Sequence, residues 1–134
     1  MTPNIPEIVA EIAEIFERYE QALIDRDVDT LDAIFWNSPH TIRLSVREHG
    51  YGFAAIHAHR LAAKAGAGSI KQGRVRLDIL TLGRDVATVN LTFKLRDPAL
   101  LGRQSQAWVR FPELGWKVVS AHVSTADVAA LATD

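Results

Sequence analysis

Apolar positions recur at helical spacing at the start of the chain. Ile8, Ile12, Ile15, Phe16, Tyr19 and Leu23 fall on one stripe of a helix. That helix is expected to begin near Pro6, a residue favoured in a first turn, with Asn4 as its capping side chain. Glu7 and Glu11 suit its positive end. Tyr19 sits inside the apolar stripe, so its hydroxyl either reaches a partner at the surface or points into whatever the stripe covers. After a connection over Asp25–Asp29, the residues Leu31, Ile34 and Phe35 mark the buried side of a second helix, about Thr30–Phe35.

The period then drops to two. Thr41–Val46 puts Thr41, Arg43 and Ser45 on one face of a strand and Ile42, Leu44 and Val46 on the other, the apolar face requiring cover. Arg47–Gly52 is expected to be a turn around Tyr51. A third helix follows, about Phe53–Ala65, ended by Gly66 and Gly68, with Ile56, Arg60 and Ala63 on one side. Ile70–Leu82 and Asp85–Arg96 alternate over long runs about a Gly83-Arg84 turn. In the first of them Arg74, Arg76 and Asp78 are expected to share a solvated face. In the second, Ala87, Val89, Leu91, Phe93 and Leu95 form a strongly apolar face.

Two last strands, about Gly102–Phe111 and Trp116–Ser124, flank a turn at Pro112–Gly115. Gln104, Gln106, Trp108 and Arg110 share one face of the first; Trp116, Val118, Ser120, His122 and Ser124 share one face of the second. Amides, an indole and an imidazole among buried positions need partners. They form either a satisfied polar network in the core or a pocket wall of convergent donors. Helices followed by long antiparallel strands predict an α+β domain: a curved antiparallel sheet with three helices on its concave side, enclosing a conical cavity. The whole chain, 1–134, is one domain with a core of about 5–124 and a short tail at 125–134.

Composition narrows the chemistry. A net charge of −1 argues against a nucleic-acid partner, and the absence of cysteine excludes disulfides and thiolate chemistry. The acidic, periodic N-terminus does not resemble a signal peptide and no apolar run could span a bilayer, so a cytoplasmic protein without a membrane partner is expected. His57 and His59 are two apart, lack the i, i+4 spacing of a helical metal pair and are expected to be exposed; no metal or cofactor is expected. The carboxylates lie mostly in the first helix, turns and loops, which argues against ketosteroid-type isomerisation by a carboxylate base inside the cone. Ser105, Ser120 and Ser124 accompany His122, yet no G-x-S-x-G turn exists to make a nucleophile of any of them. What remains is a set suited to a small anion. Arg43 can hold a carboxylate in two parallel hydrogen bonds, and Gln104 and Gln106 can read carbonyl and amide edges.

Several stretches carry a family likeness: Tyr19 with Ala22-Leu23 and Asp27, Phe35-Trp36, Thr41-Ile42-Arg43, Tyr51-Gly52, Gly83-Arg84-Asp85, the run GRQSQAWVRFP at Gly102–Pro112, and GWKVVSAHVS at Gly115–Ser124. With their order of elements, they resemble the AtzH-like and HpxZ-like branch of the SnoaL-like, nuclear-transport-factor-two-like superfamily. The resemblance implies a small protein of oxalurate and cyanuric-acid nitrogen catabolism, encoded alongside amidases and acting on a carboxylated urea such as dicarboxyurea. It would yield allophanate by deamidation with loss of carboxylate. It also implies a catalytic pair that falls on Tyr19 and Arg43. One departure is His59-Arg60-Leu61, where the family would have an aromatic residue before the arginine.

The expected function is therefore a cofactor-independent amidohydrolase or decarboxylase on a carboxylated ureido metabolite. The alternatives are a non-catalytic module that binds such a metabolite or docks on an amidase partner, and a SnoaL-like lyase or isomerase on another small molecule. Tyr19, Arg43, Gln104, Gln106, Trp108 and His122 are expected to line one cavity: Tyr19 as the proton-transfer group, Arg43 as the anion clamp, the glutamines as orienters, Trp108 as an apolar wall and His122 as an orienter or second acid–base group. A homodimer is expected through the outer sheet face, where Leu80 and Leu82 lie opposite the Val75, Leu77 and Ile79 side.

Overall fold

The computed structural model describes residues 1–64, 66 and 69–131. Three helices, α1 (Pro6–Asp25), α2 (Val28–Ile34) and α3 (Phe53–Lys64), accompany strands β1 (Ile42–Leu44), β2 (His49–Tyr51), β3 (Gly73–Leu82), β4 (Val86–Lys94), β5 (Leu100–Phe111) and β6 (Gly115–Asp127). The expected end of α3 at Ala65 and Gly68, and residues 132–134 of the expected tail, lie outside the described residues.

The stripe on α1 behaves as its spacing predicts. Ile8, Ile12, Phe16, Tyr19 and Ala22 are buried against the sheet, together with Ala87, Val89, Leu91 and Phe93 of β4 and Trp108 of β5. Full burial of each Ile or Phe contributes about 1.5–3 kcal/mol, so this stripe is a main anchor of the fold. Asn4 does not cap α1. It takes a φ of 55°, its N–H donates to the Thr81 carbonyl, and its Oδ1 accepts from the Thr81 N–H, both at 3.0 Å. The N-terminus is thereby stitched to the end of β3, and at the other end β6 continues to Asp127. Arg26, at φ 54°, closes α1, and Asp27 caps α2 through Thr30.

The strands form one sheet in the order β2-β1-β6-β5-β4-β3. It is mixed, because β1 runs parallel to β6 while every other pair is antiparallel. The segment read as a turn contains β2, too short and too rich in glycine to announce itself. The faces of β1 are also reversed from the expectation that its apolar side is covered. Thr41 is fully buried and donates its hydroxyl to the Trp36 carbonyl at 2.7 Å, whereas Ile42 and Val46 are exposed. Gly50 of β2 lies opposite Arg43, and a Cβ on it would come within 2.7 Å of Cγ1 of Ile56; its bareness lets α3 close over this end of the sheet.

Two bulges re-aim side chains. In β3 the register shifts between Arg74 and Arg76. Arg74 consequently turns towards α1 and pairs with Glu17 at 2.8 Å, while Arg76 faces outward in a two-point contact with Asp78. The three do not share a face. In β6 the register passes from Ser120 opposite Ala107 to Val118 opposite Trp108, leaving Val119 as the extra residue.

Candidate functional site

Strict alternation along β5 sends Gln104, Gln106 and Trp108 inward, and all three are buried. Tyr19 faces them from the core stripe of α1, its ring 5.8 Å from that of Phe16 and 6.3 Å from that of Phe35. Arg43 also lies on the inner face. Its register partner on β6 is the buried Ala121, and its side chain is 23% exposed, held loosely by Glu48 at 3.5 Å.

His122 does not join them. The Val119 bulge inverts the parity of β6, so Trp116, Val118 and Ala121 are buried while His122 lies exposed on the outer face opposite Ser105. With Arg103, Ser105 and Ser124 it lines a depression of about 320 Å³ on that outer face. Period-two counting carried across an unseen bulge put it on the wrong side.

The amides are the unusual feature. Oε1 of Gln106 accepts from the Trp108 indole N–H at 3.2 Å, but among the described residues its Nε2 has no partner, and neither Nε2 nor Oε1 of Gln104 has one. Three amide atoms are thus buried on the concave side without partners among the described residues, where such groups are costly. Of the two readings of this face, a satisfied polar network does not extend to these atoms, and ligand or water chemistry is what they suit.

Positive charge collects nearby. Arg60, from α3, is buried, stacks 4.2 Å above the centre of Phe35 and donates Nη1 to Asp32 at 2.9 Å. The same Asp32 contacts Nδ1 of His57, which is half-exposed rather than solvated on all sides. Burial pushes the Arg60 guanidinium below its ordinary range; the Asp32 hydrogen bond and the field of Tyr19 oppose this, and the charge of Arg43 adds to it. Phe35, which carries Arg60 on its face, lies 6.3 Å from the Tyr19 ring, so Arg60 and Tyr19 flank the same aromatic side chain. Lys71 completes the set: its Nζ pairs with Glu20 at 2.7 Å and sits 5.2 Å above the centre of the Tyr19 ring.

An open cleft of about 360 Å³ runs between the C-terminal half of α1 and the start of β3, lined among others by Glu20, Lys71, Arg74, Leu91 and Phe93. Leu91 is the register neighbour of Gln104, so the cleft approaches the unpaired amides from the Tyr19 side. Neither depression counts Tyr19, Arg43, Gln104, Gln106 or Trp108 among its lining residues. Arg60, Asp32 and Lys71 were missed as site residues. A lone arginine beside Ile56 on the buried side of α3 was the signal available for Arg60. Among the described residues no group of three or more His, Asp or Glu is placed to hold a metal ion.

A mixed sheet wrapped on one face by three helices, with polar side chains converging on the concave side, defines a nuclear-transport-factor-two-like cone. The chain belongs to the AtzH-like family, which it matches over residues 1–129. It is similar to a cystatin-like fold protein from Burkholderia xenovorans LB400, at 38% identity and a TM-score of 0.85, over 96% of this chain and 98% of that one. A protein of unknown function from Pectobacterium atrosepticum SCRI1043 is 36% identical over 93% of this chain and 95% of that one, with a TM-score of 0.82. At 23% identity and a TM-score of 0.70, a nuclear transport factor 2-like protein from Salmonella enterica serovar Typhimurium LT2 shares the fold over 96% of this chain and 97% of that one. No curated protein matches the chain. None of the helices described is long and apolar enough to cross a membrane.

Proposed function

We propose that the protein is a cofactor-independent enzyme that cleaves a carbon–nitrogen bond of a small carboxylated urea, as an amidohydrolase or decarboxylase of nitrogen catabolism. The observation that carries this reading is the set of unpaired amide atoms of Gln104 and Gln106, buried on the concave face that Tyr19 covers. A urea offers a carbonyl oxygen and N–H groups in one plane. An Nε2 donor from each glutamine and the Gln104 Oε1 acceptor complement those edges.

Arg43 supplies the fork for a carboxylate at the rim, where its bond to Glu48 is long enough to exchange for a ligand. Tyr19, buried on the core stripe of α1, serves as the proton-transfer group for the departing nitrogen.

The test is turnover by purified protein, following ammonia and carbon dioxide release from dicarboxyurea and from oxalurate. Tyr19→Phe removes only the hydroxyl and should lower the rate by about 10²–10⁴-fold with ligand binding retained. Arg43→Lys keeps the charge, loses the fork and should raise KM. Full activity of Tyr19→Phe would eliminate its acid–base role, and binding without turnover by the wild type would make the protein a metabolite-binding module instead.

A further inference from the structure

Arg60 projects into the core one helical turn beyond Ile56, with a side chain only 7% exposed. Its guanidinium is fixed from two directions. The Phe35 ring supports its face at 4.2 Å, and Asp32 takes Nη1 at 2.9 Å. The second oxygen of Asp32 is engaged by His57, one turn back on the same helix, so the carboxylate is held as firmly as the arginine. An arginine carries five N–H donors. Asp32 uses one, and neither Nε nor Nη2 has a protein acceptor among the described residues.

Fold stability alone does not account for this arrangement. A buried ion pair is seldom better than an apolar pair of the same shape. Ile56, one turn before Arg60, packs over Gly50, the register partner of Arg43, so α3 brings Arg60 and Arg43 to the same end of the sheet, where their charges oppose each other. An anionic group placed between the two would turn that repulsion into attraction for both.

We propose that Arg60 is a ligand-contacting residue, its free N–H donors sharing with Arg43 the anionic small molecule of the cone, while Asp32 and His57 hold the guanidinium in the pose that does so. The proposal rests on the reading of the site given above. It adds a third element, α3, to the binding surface formed by α1 and the sheet. Asp32 and His57 are positioning residues.

Calorimetric titration of the full chain with oxalurate tests it. Arg60→Gln should weaken binding by about 10- to 100-fold, the range for losing charged hydrogen bonds. Because that variant strands Asp32, the pair Asp32→Asn/Arg60→Gln is measured beside it: an uncharged hydrogen-bonded pair of similar shape, expected to keep the wild-type melting temperature and show the same loss. Arg43→Gln combined with Arg60→Gln should lose less than the product of the single losses, since both groups hold one ligand. If the Asp32→Asn/Arg60→Gln pair binds oxalurate like the wild type while Arg43→Gln does not, Arg60 is only a structural counter-ion and the proposal is wrong, though the site reading stands. A loss of affinity that appears only together with a collapsed melting temperature in both variants overturns it equally. If the wild type does not bind oxalurate, the site reading itself fails and takes the proposal with it.

Discussion

The indole N–H of Trp108 donates to Oε1 of Gln106 at 3.2 Å, wholly inside the core. That bond decides which way the Gln106 amide faces, because the indole is a donor only and selects the oxygen. It leaves Nε2 of Gln106 without a partner on the same strand face as Gln104, whose amide has none at either atom among the described residues. Gln104→Leu replaces two unpaired polar atoms with an apolar side chain of similar volume. It should raise stability by about 1–2 kcal/mol in denaturant unfolding and abolish oxalurate binding. A destabilised Gln104→Leu would mean that the amide is satisfied in the resting protein, and the pocket reading of β5 would lose its main support.

A close approach between β4 and β5 gives a second outcome. A Cβ on Gly102 would meet Cε2 of Phe93 at 2.1 Å, and Phe93 is buried. Phe93 lies flat across the glycine of its register partner. Gly102→Ala should therefore cost about 1–3 kcal/mol through overpacking, read as a lower melting temperature. A variant as stable as the wild type would show that the ring can swing aside.

Much of this architecture is legible in the residues. The α1 stripe, the inward face of β5 and the apolar face of β4 follow from periods of 3.6 and 2, and each is long enough for the period to dominate. The errors cluster where one residue breaks the count. Val119 turns His122 outward, and the irregularity between Arg74 and Arg76 separates two arginines that simple alternation keeps together. Neither Val119 nor Val75 is a residue type that advertises a bulge. The reversal of β1 has a different cause. Three residues are too few for polarity to decide a face, and hydrogen bonding of Thr41 to the Trp36 carbonyl outweighs the cover that Ile42 would have gained. Arg60 was hidden because a charged residue on a helix defaults to solvent; only the packing of α2 against α3 supplies Asp32 and Phe35 to hold it.

Acid should loosen α2 through its cap. The Thr30 hydroxyl at 2.6 Å, then the Thr30 backbone N–H, hold the Asp27 carboxyl below its ordinary value, with Lys64 adding a weaker attraction. The folded pKa is depressed, so the stabilisation is present above the unfolded value of about 4 and is lost as pH falls through the folded one. Asp27→Asn keeps a capping oxygen but cannot titrate. Melting temperatures of wild type and variant should differ most near neutral pH and converge below about pH 4. A constant difference across that range would remove Asp27 from the acid limb.

The last expectation concerns the outer face of the sheet, which we propose pairs two copies of the chain. Ile42 at 39% and Leu80 at 40% exposure are large apolar side chains on a face that carries small groups such as Ser105, Ala107 and Ser120 alongside the charged Arg76, Asp78 and Arg103. Helices cover only the opposite face, so a partly apolar sheet surface is left without a layer, and such surfaces mark interfaces. The depression lined by Arg103, Ser105, His122 and Ser124 lies on the same face, which would give His122 a partner across the interface rather than a ligand within the cone. A stable pair needs about 800 Å² from each copy, within reach of four strands of this length. Sedimentation at micromolar concentration should give a dimer. Leu80→Lys, which places a charge on the outer face and touches nothing in the core, should give a folded monomer with an unchanged circular dichroism spectrum. A wild type that sediments as a monomer at that concentration rejects the outer-face pairing.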